Sequence, residues 1–153
     1  MLLYVWRLLL GAWVGALLCF GVVVAPALFS ALSPVEAGLV VRQVIPKLDV
    51  FGMAAAVVLL GLWVRGARDR KGWIARGLLA AMGSLAALSF LVITPRMEAL
   101  RAAAGGKISE LPAEDARRME FGRLHGASSA ASAAVLVLGI ASLALPPRTR
   151  ERA

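Results

Sequence analysis

Phe121-Gly122-Arg123-Leu124-His125-Gly126-Ala127-Ser128-Ser129-Ala130-Ala131-Ser132 carries the chain from a charged segment straight into an apolar run that ends near Leu145. At about 100° per residue, Phe121, His125, Ser128 and Ser132 share one helical stripe, with Gly126, Ala130 and Ala133 roughly opposite. The sole histidine therefore stands at the mouth of an apolar helix, on its polar side. From Gly126 to Leu145 no charge interrupts the run, which matches the ~20 residues a membrane-crossing helix requires.

Three further runs precede it. Leu8 to Val35 carries no charge, and Pro26 is expected to end or kink its helix. Ala25-Pro26-Ala27 loosely resembles a cleavage site, but Met1 to Trp6 is apolar rather than basic, so an intact first span is expected. Gly11 and Gly15 form a GxxxG pair that permits close helix contact. Ser33-Pro34-Val35-Glu36 reads as a capping box opening a helix that should run to about Ile45, where Pro46 interrupts the ladder. The uncharged part of the second span, Val50 to Val64, is too short to cross, so it must extend back through Asp49 and Lys47. Those charges sit at the boundary or turn inward as a pair, and snorkelling to the headgroups is the simpler expectation. The third span runs from about Trp73 to Thr94 and stops at Pro95.

The segment 96–123 is the extended polar region, broken at Gly105-Gly106. Leu111-Pro112 leads a second short helix there, with Glu114–Arg118 and Glu120–Arg123 as surface pairs. These features predict an all-α integral membrane four-helix bundle, one domain over residues 1–153, with one or two short extramembrane or interfacial helices. The spans fall at about 5–29, 44–64, 73–94 and 125–145.

Composition agrees. Hydrophobic residues make up 60% of the 153, and charged residues only 17%. A soluble core has no use for that much apolar surface, whereas spans facing lipid do. The net charge of +8 flanks apolar segments rather than forming an arm, so anionic headgroups explain it and no nucleic-acid partner is expected. Arg65, Arg68, Arg70, Lys71 and Arg76 form a basic connector bracketed by Trp63 and Trp73. With Arg7 and the tail's Arg148, Arg150 and Arg152 they give nine Lys/Arg on one side, against eight on the other: Arg42, Lys47, Arg96, Arg101, Lys107, Arg117, Arg118 and Arg123. The density of the short connector favours both termini in the cytoplasm of a bacterial cell, in its inner membrane.

The chain resembles the four-span membrane proteins related to human transmembrane protein 205. The likeness rests on Ala25-Pro26-Ala27-Leu28-Phe29 with Ala37-Gly38-Leu39-Val40, on Thr94-Pro95-Arg96-Met97-Glu98-Ala99-Leu100-Arg101, and on Phe121 to Ser129. It implies an intact four-helix membrane protein and an association with tolerance to toxic compounds or metals. It brings no catalytic residues with it.

All three signatures should emerge at one membrane face, the end of spans one and three and the start of span four. Pro26, Phe29, Arg96, Phe121, Arg123, His125 and Ser128 then form a candidate vestibule, although Arg96 and His125 bonding helix-end carbonyls would serve packing alone. Arg123 points about 160° from the Phe121 stripe and can instead reach headgroups. With His125 the only histidine, a bis-histidine haem within the chain is impossible; His with Met remains open. Cys19, Met53, Met82, Met97, Met119 and His125 are soft ligands without a defining spacing, so no metal or other cofactor is expected. His125 with Ser128 or Ser129, aided by Glu120, has a nucleophile's reach. Small-residue helix packing explains those serines better, so no catalytic residues are assigned and a non-enzymatic role is expected over catalysis. Three classes stay open: a protein handling small molecules, metals or toxic compounds; an accessory subunit, or homo-oligomer, meeting other membrane helices through Gly11/Gly15 and Gly126/Ala130/Ala134; and a membrane-embedded enzyme on a lipophilic substrate. No acidic residue is expected mid-span, which weighs against a pump.

Overall fold

A computed structural model describes residues 2–63 and 70–145, without the side chains of Leu2 and Trp63. Arg65 and Arg68 of the basic connector, and Arg148, Arg150 and Arg152 of the tail, lie outside the described residues.

The described residues are mostly helical and contain no strand. Helix α1 (Leu2–Cys19) continues through a π-helical turn, Phe20–Val24, into α2 (Ala25–Ala31). Helix α3 covers Pro34–Trp63, and α4 (Arg70–Leu88) passes through a second π turn, Ser89–Ile93, into α5 (Thr94–Ala103). A short 3-10 turn, Ile108–Glu110, precedes α6 (Ala116–Leu143). Four stretches are long and apolar enough to cross a membrane: Leu3–Ala31, Pro34–Leu62, Arg70–Ala103 and Ala116–Leu143. At 28 to 34 residues they measure about 42 to 51 Å, more than the ~30 Å of a hydrocarbon core, so their ends project.

Both π turns end two residues before a proline. The Ala25 amide donates to the Phe20 carbonyl and the Thr94 amide to that of Ser89, each one residue further back than an α-helix allows. Widening the turn moves the preceding carbonyls away from the rings of Pro26 and Pro95, where they would otherwise collide. Both spans therefore run on past their prolines instead of stopping there. Pro46 likewise lies inside α3, so the expected interruption after Ile45 does not occur. One lost ladder bond is small beside the packing that holds a 30-residue helix in place.

The capping box forms as expected. The Ser33 amide and hydroxyl donate to Glu36 Oε2 at 3.0 and 2.7 Å, and the Glu36 amide donates back to Ser33 Oγ. Gly105 and Gly106 turn the chain after α5 with φ of +62° and +82°, a region side chains avoid. The surface pairs differ from expectation. Helix α6 starts only at Ala116, leaving Glu114 ahead of it, and Arg118 donates to the Leu111 carbonyl. Arg117 pairs with Asp115 at 2.8 Å and also reaches the Ala103 carbonyl at 3.1 Å.

Asp115 caps α6 by accepting from the Arg117 amide at 2.8 Å. The Arg117 side chain and amide hold its carboxyl down at about 2, from an ordinary 3.8. A depressed carboxyl stabilises the fold above its ordinary value, and that contribution is lost as pH falls toward about 2. Asp115→Ala is accordingly expected to lower thermal stability at neutral pH, and the gap from wild type should close as pH drops from about 4 to about 2. Circular dichroism melts across that range check it.

The spans form a closed ring: α1 packs on α3, α3 on α4, α4 on α6, and α6 back on α1. Trp6, Leu10, Trp13, Leu59, Leu79 and Met82 fill the centre. Outside, Leu8 (73% exposed), Val57 (71%), Leu91 and Val137 project from successive spans. A surface apolar on every side suits lipid and no other solvent. The chain is an all-α membrane bundle.

Candidate functional site

Three glycines set how closely the helices approach, among them Gly83, where a Cβ would stand 2.8 Å from that of Ala56. A Cβ on Gly52 would stand 2.6 Å from the Trp13 indole nitrogen, so α1 rests its tryptophan directly on the α3 backbone. A Cβ on Gly139 would stand 2.4 Å from a Val14 methyl, which joins α6 to α1 as tightly. Gly11 and Gly15, by contrast, have nothing within 4 Å of where a Cβ would go, so the GxxxG pair faces away from the ring.

Against this packing stands a polar pair. Asp49 is only 8% exposed and Ser89 only 2%, and both line a cavity of about 10 Å³ between the helices. Trp13 borders it from α1, and Ala131 and Ser132 from α6. Among the described residues, Asp49 Oδ2 and Ser89 Oγ have no hydrogen-bond partner. Asp49 stands seven residues along α3 from Arg42, and Ser89 seven residues before Arg96. Both thus lie about 10 Å along the helix axes from those charges, at one level inside the bundle. Asp49 turns inward without Lys47, which is exposed, so boundary snorkelling describes the lysine and not the aspartate.

Asp49 was legible in the spacing of its own helix. Asp49, Gly52, Ala56 and Leu59 recur at steps of three, four and three, and all four are buried. The inward face of this half of α3 therefore includes the carboxylate. The uncharged length of a span gives its extent but not its rotation, and so hides this.

The end of the bundle carrying the polar loop is held by charge. Glu98 of α5 pairs with Arg42 of α3 and with Arg101 on its own helix. The Arg101 guanidinium lies 5.1 Å from the centroid of the Phe121 ring on α6. These groups tie three helices together at that end.

The residues expected to form a vestibule are distributed as follows. Pro26 is exposed at the start of α2, and Phe29 is exposed one turn later, on a helix that packs against α3. Arg96, Arg123 and His125 are exposed. Phe121 and Ser128 are half-buried. None of the seven lines the interior cavity. Ser128 comes nearest in kind, one helical turn from Ser132 on the face of α6 that leads from the cavity toward the polar loop.

Residues 8–105 match the family described as Domain of unknown function (DUF4149). The chain belongs to this family. The DUF4149 region takes in Trp13, Asp49 and Ser89, and the helix that supplies Ser132 lies beyond it. No curated protein and no solved structure matches the chain.

Proposed function

We propose that this DUF4149 protein handles a small solute or ion within the membrane, with Asp49 as its working group. The observation that carries the reading is the Asp49 carboxylate, buried among four apolar spans with an oxygen unpartnered. Ionisable groups inside a bilayer are expensive to keep, and they characteristically mark ion and substrate pathways. The resemblance to the relatives of transmembrane protein 205 lends the same reading a setting, tolerance to toxic compounds or metals. On this account the protein sits in a bacterial cytoplasmic membrane with both termini inside. Arg96, Arg123, His125 and Ser128 flank the entry on the polar-loop side.

A second reading has its own support. Gly11, Gly15 and Gly126 lie on faces where a Cβ would meet nothing within 4 Å, which leaves room for a neighbouring helix. An accessory subunit or a homo-oligomer would use those faces.

Growth of a deletion strain against a panel of metals and toxic compounds separates the two. The first reading expects sensitivity to some members of the panel, reversed by the wild-type gene. Unchanged growth on every compound, together with a stoichiometric partner copurifying in mild detergent, would favour the second.

A further inference from the structure

The interior cavity is too small for an organic solute, and its chemistry is specific. Its volume of about 10 Å³ is at the lower limit for one water molecule, which needs roughly 10–15 Å³ and two to four polar partners. Asp49 Oδ2 and Ser89 Oγ are two such partners, both buried and unpartnered, and Ser132 lies on the same wall. No Lys, Arg, His or Glu faces Asp49 from α1, α4 or α6, since all the other lining residues are uncharged. On its own helix the nearest cations point elsewhere: Lys47 is exposed, and Arg42 is paired with Glu98. Among the described residues, no cation lines the cavity to balance this carboxylate, so its occupant has to bring the charge.

We propose that the cavity is a proton-binding site, in which Asp49 takes up and releases one proton through a single trapped water shared with Ser89 and Ser132. In the uptake step an O–H bond of a hydronium breaks, its electron pair stays on the water, and a new O–H bond forms at the Asp49 carboxylate. The water remains, bonded to the hydroxyls. No oxidant or reductant takes part. Ser128, one turn from Ser132, continues the line of hydroxyls toward the polar-loop end. The inference deepens the reading of Asp49 as the working group and rests on it only for the use to which the proton is put.

Infrared difference spectroscopy on the full chain in lipid nanodiscs tests it, with pH stepped between about 5 and about 9, above the range of ordinary carboxyls. The sequence has three aspartates, Asp49, Asp69 and Asp115. Carbon-13 labelling of aspartate in an Asp69→Asn background leaves Asp49 as the group to watch, because Asp115 is held near 2. A label-sensitive carbonyl band of a protonated carboxyl that comes and goes with pH, and changes frequency in Ser89→Ala, is the expected result. The labelling needs no change at residue 49, so the test survives if Asp49→Asn fails to fold. Three results would overturn the proposal: no such band at any pH, a band untouched in both Ser89→Ala and Ser132→Ala, or a band displaced by sodium at constant pH. A growth phenotype without the band would leave the tolerance reading standing, and the band without a phenotype would leave the site standing.

Discussion

Gly52→Leu is expected to prevent the bundle from assembling. The first carbon of the new side chain would already lie 2.6–2.7 Å from three atoms of the Trp13 indole, well inside van der Waals contact. Trp13 is buried at the centre and has no space to retreat into, so α1 would have to leave α3. Overpacking a tight core by a few carbons costs about 1–3 kcal/mol, and a branched side chain against a rigid indole belongs above that range. Gly139→Leu should act in the same way, at the contact of α6 with Val14 and Met82. Gly15→Leu is the control. Nothing lies within 4 Å of its Cβ position, and the change should shift the melting temperature in detergent little. Equal losses at residues 15 and 52 would contradict the packing described.

Asp49→Asn should abolish function as completely as deleting the gene, with the fold retained. Asparagine keeps the shape of the side chain and can hydrogen-bond to the hydroxyls of Ser89 and Ser132, so the helices have no reason to part. What disappears is the one buried carboxylate among the described residues, the group able to carry a negative charge and exchange a proton. Tolerance measured on the compound that distinguishes the deletion strain should fall to the deletion level, while detergent extracts elute at the wild-type position. Glu114→Ala, at an exposed position in the polar loop, should leave the tolerance in place. Full tolerance in Asp49→Asn would remove Asp49 from any working role.

The order of these effects follows from what each residue touches, which was only partly legible in the sequence. The four spans are local facts, read from uncharged runs and from the ~30 Å they must cross. The caps were legible for the same reason: Ser33 and Glu36 recognise each other over three residues, and Gly105-Gly106 turns the chain without outside help. Pro46 was misread as an end because its local effect is a lost hydrogen bond, whereas its outcome depends on neighbouring helices that hold α3 straight through. The π turns escaped notice for a related reason, since Pro26 and Pro95 announce a disturbance but not its form. Asp49, expected at the boundary or turned inward with Lys47, with no acidic residue mid-span, instead lies buried inside the Pro34–Leu62 span without Lys47. Its depth depends on how α3 rotates against Trp13 and Ser89, residues 36 and 40 positions away in the chain. The stripe of Phe121, His125, Ser128 and Ser132 divides for similar reasons: Ser132 reaches the cavity wall and His125 stays exposed.

Everything functional here depends on Asp49 lying inside the bundle, away from bulk water and headgroups alike. Cysteine accessibility in membrane vesicles measures that directly, using Cys19→Ser as the background so that one thiol is present at a time. A membrane-impermeant maleimide should label Ser109→Cys, an exposed position in the polar loop, in open vesicles. Asp49→Cys in the same vesicles should remain unlabelled until detergent and denaturant open the bundle. Rapid labelling at residue 49 in the intact membrane, at a rate near that of residue 109, would contradict the account.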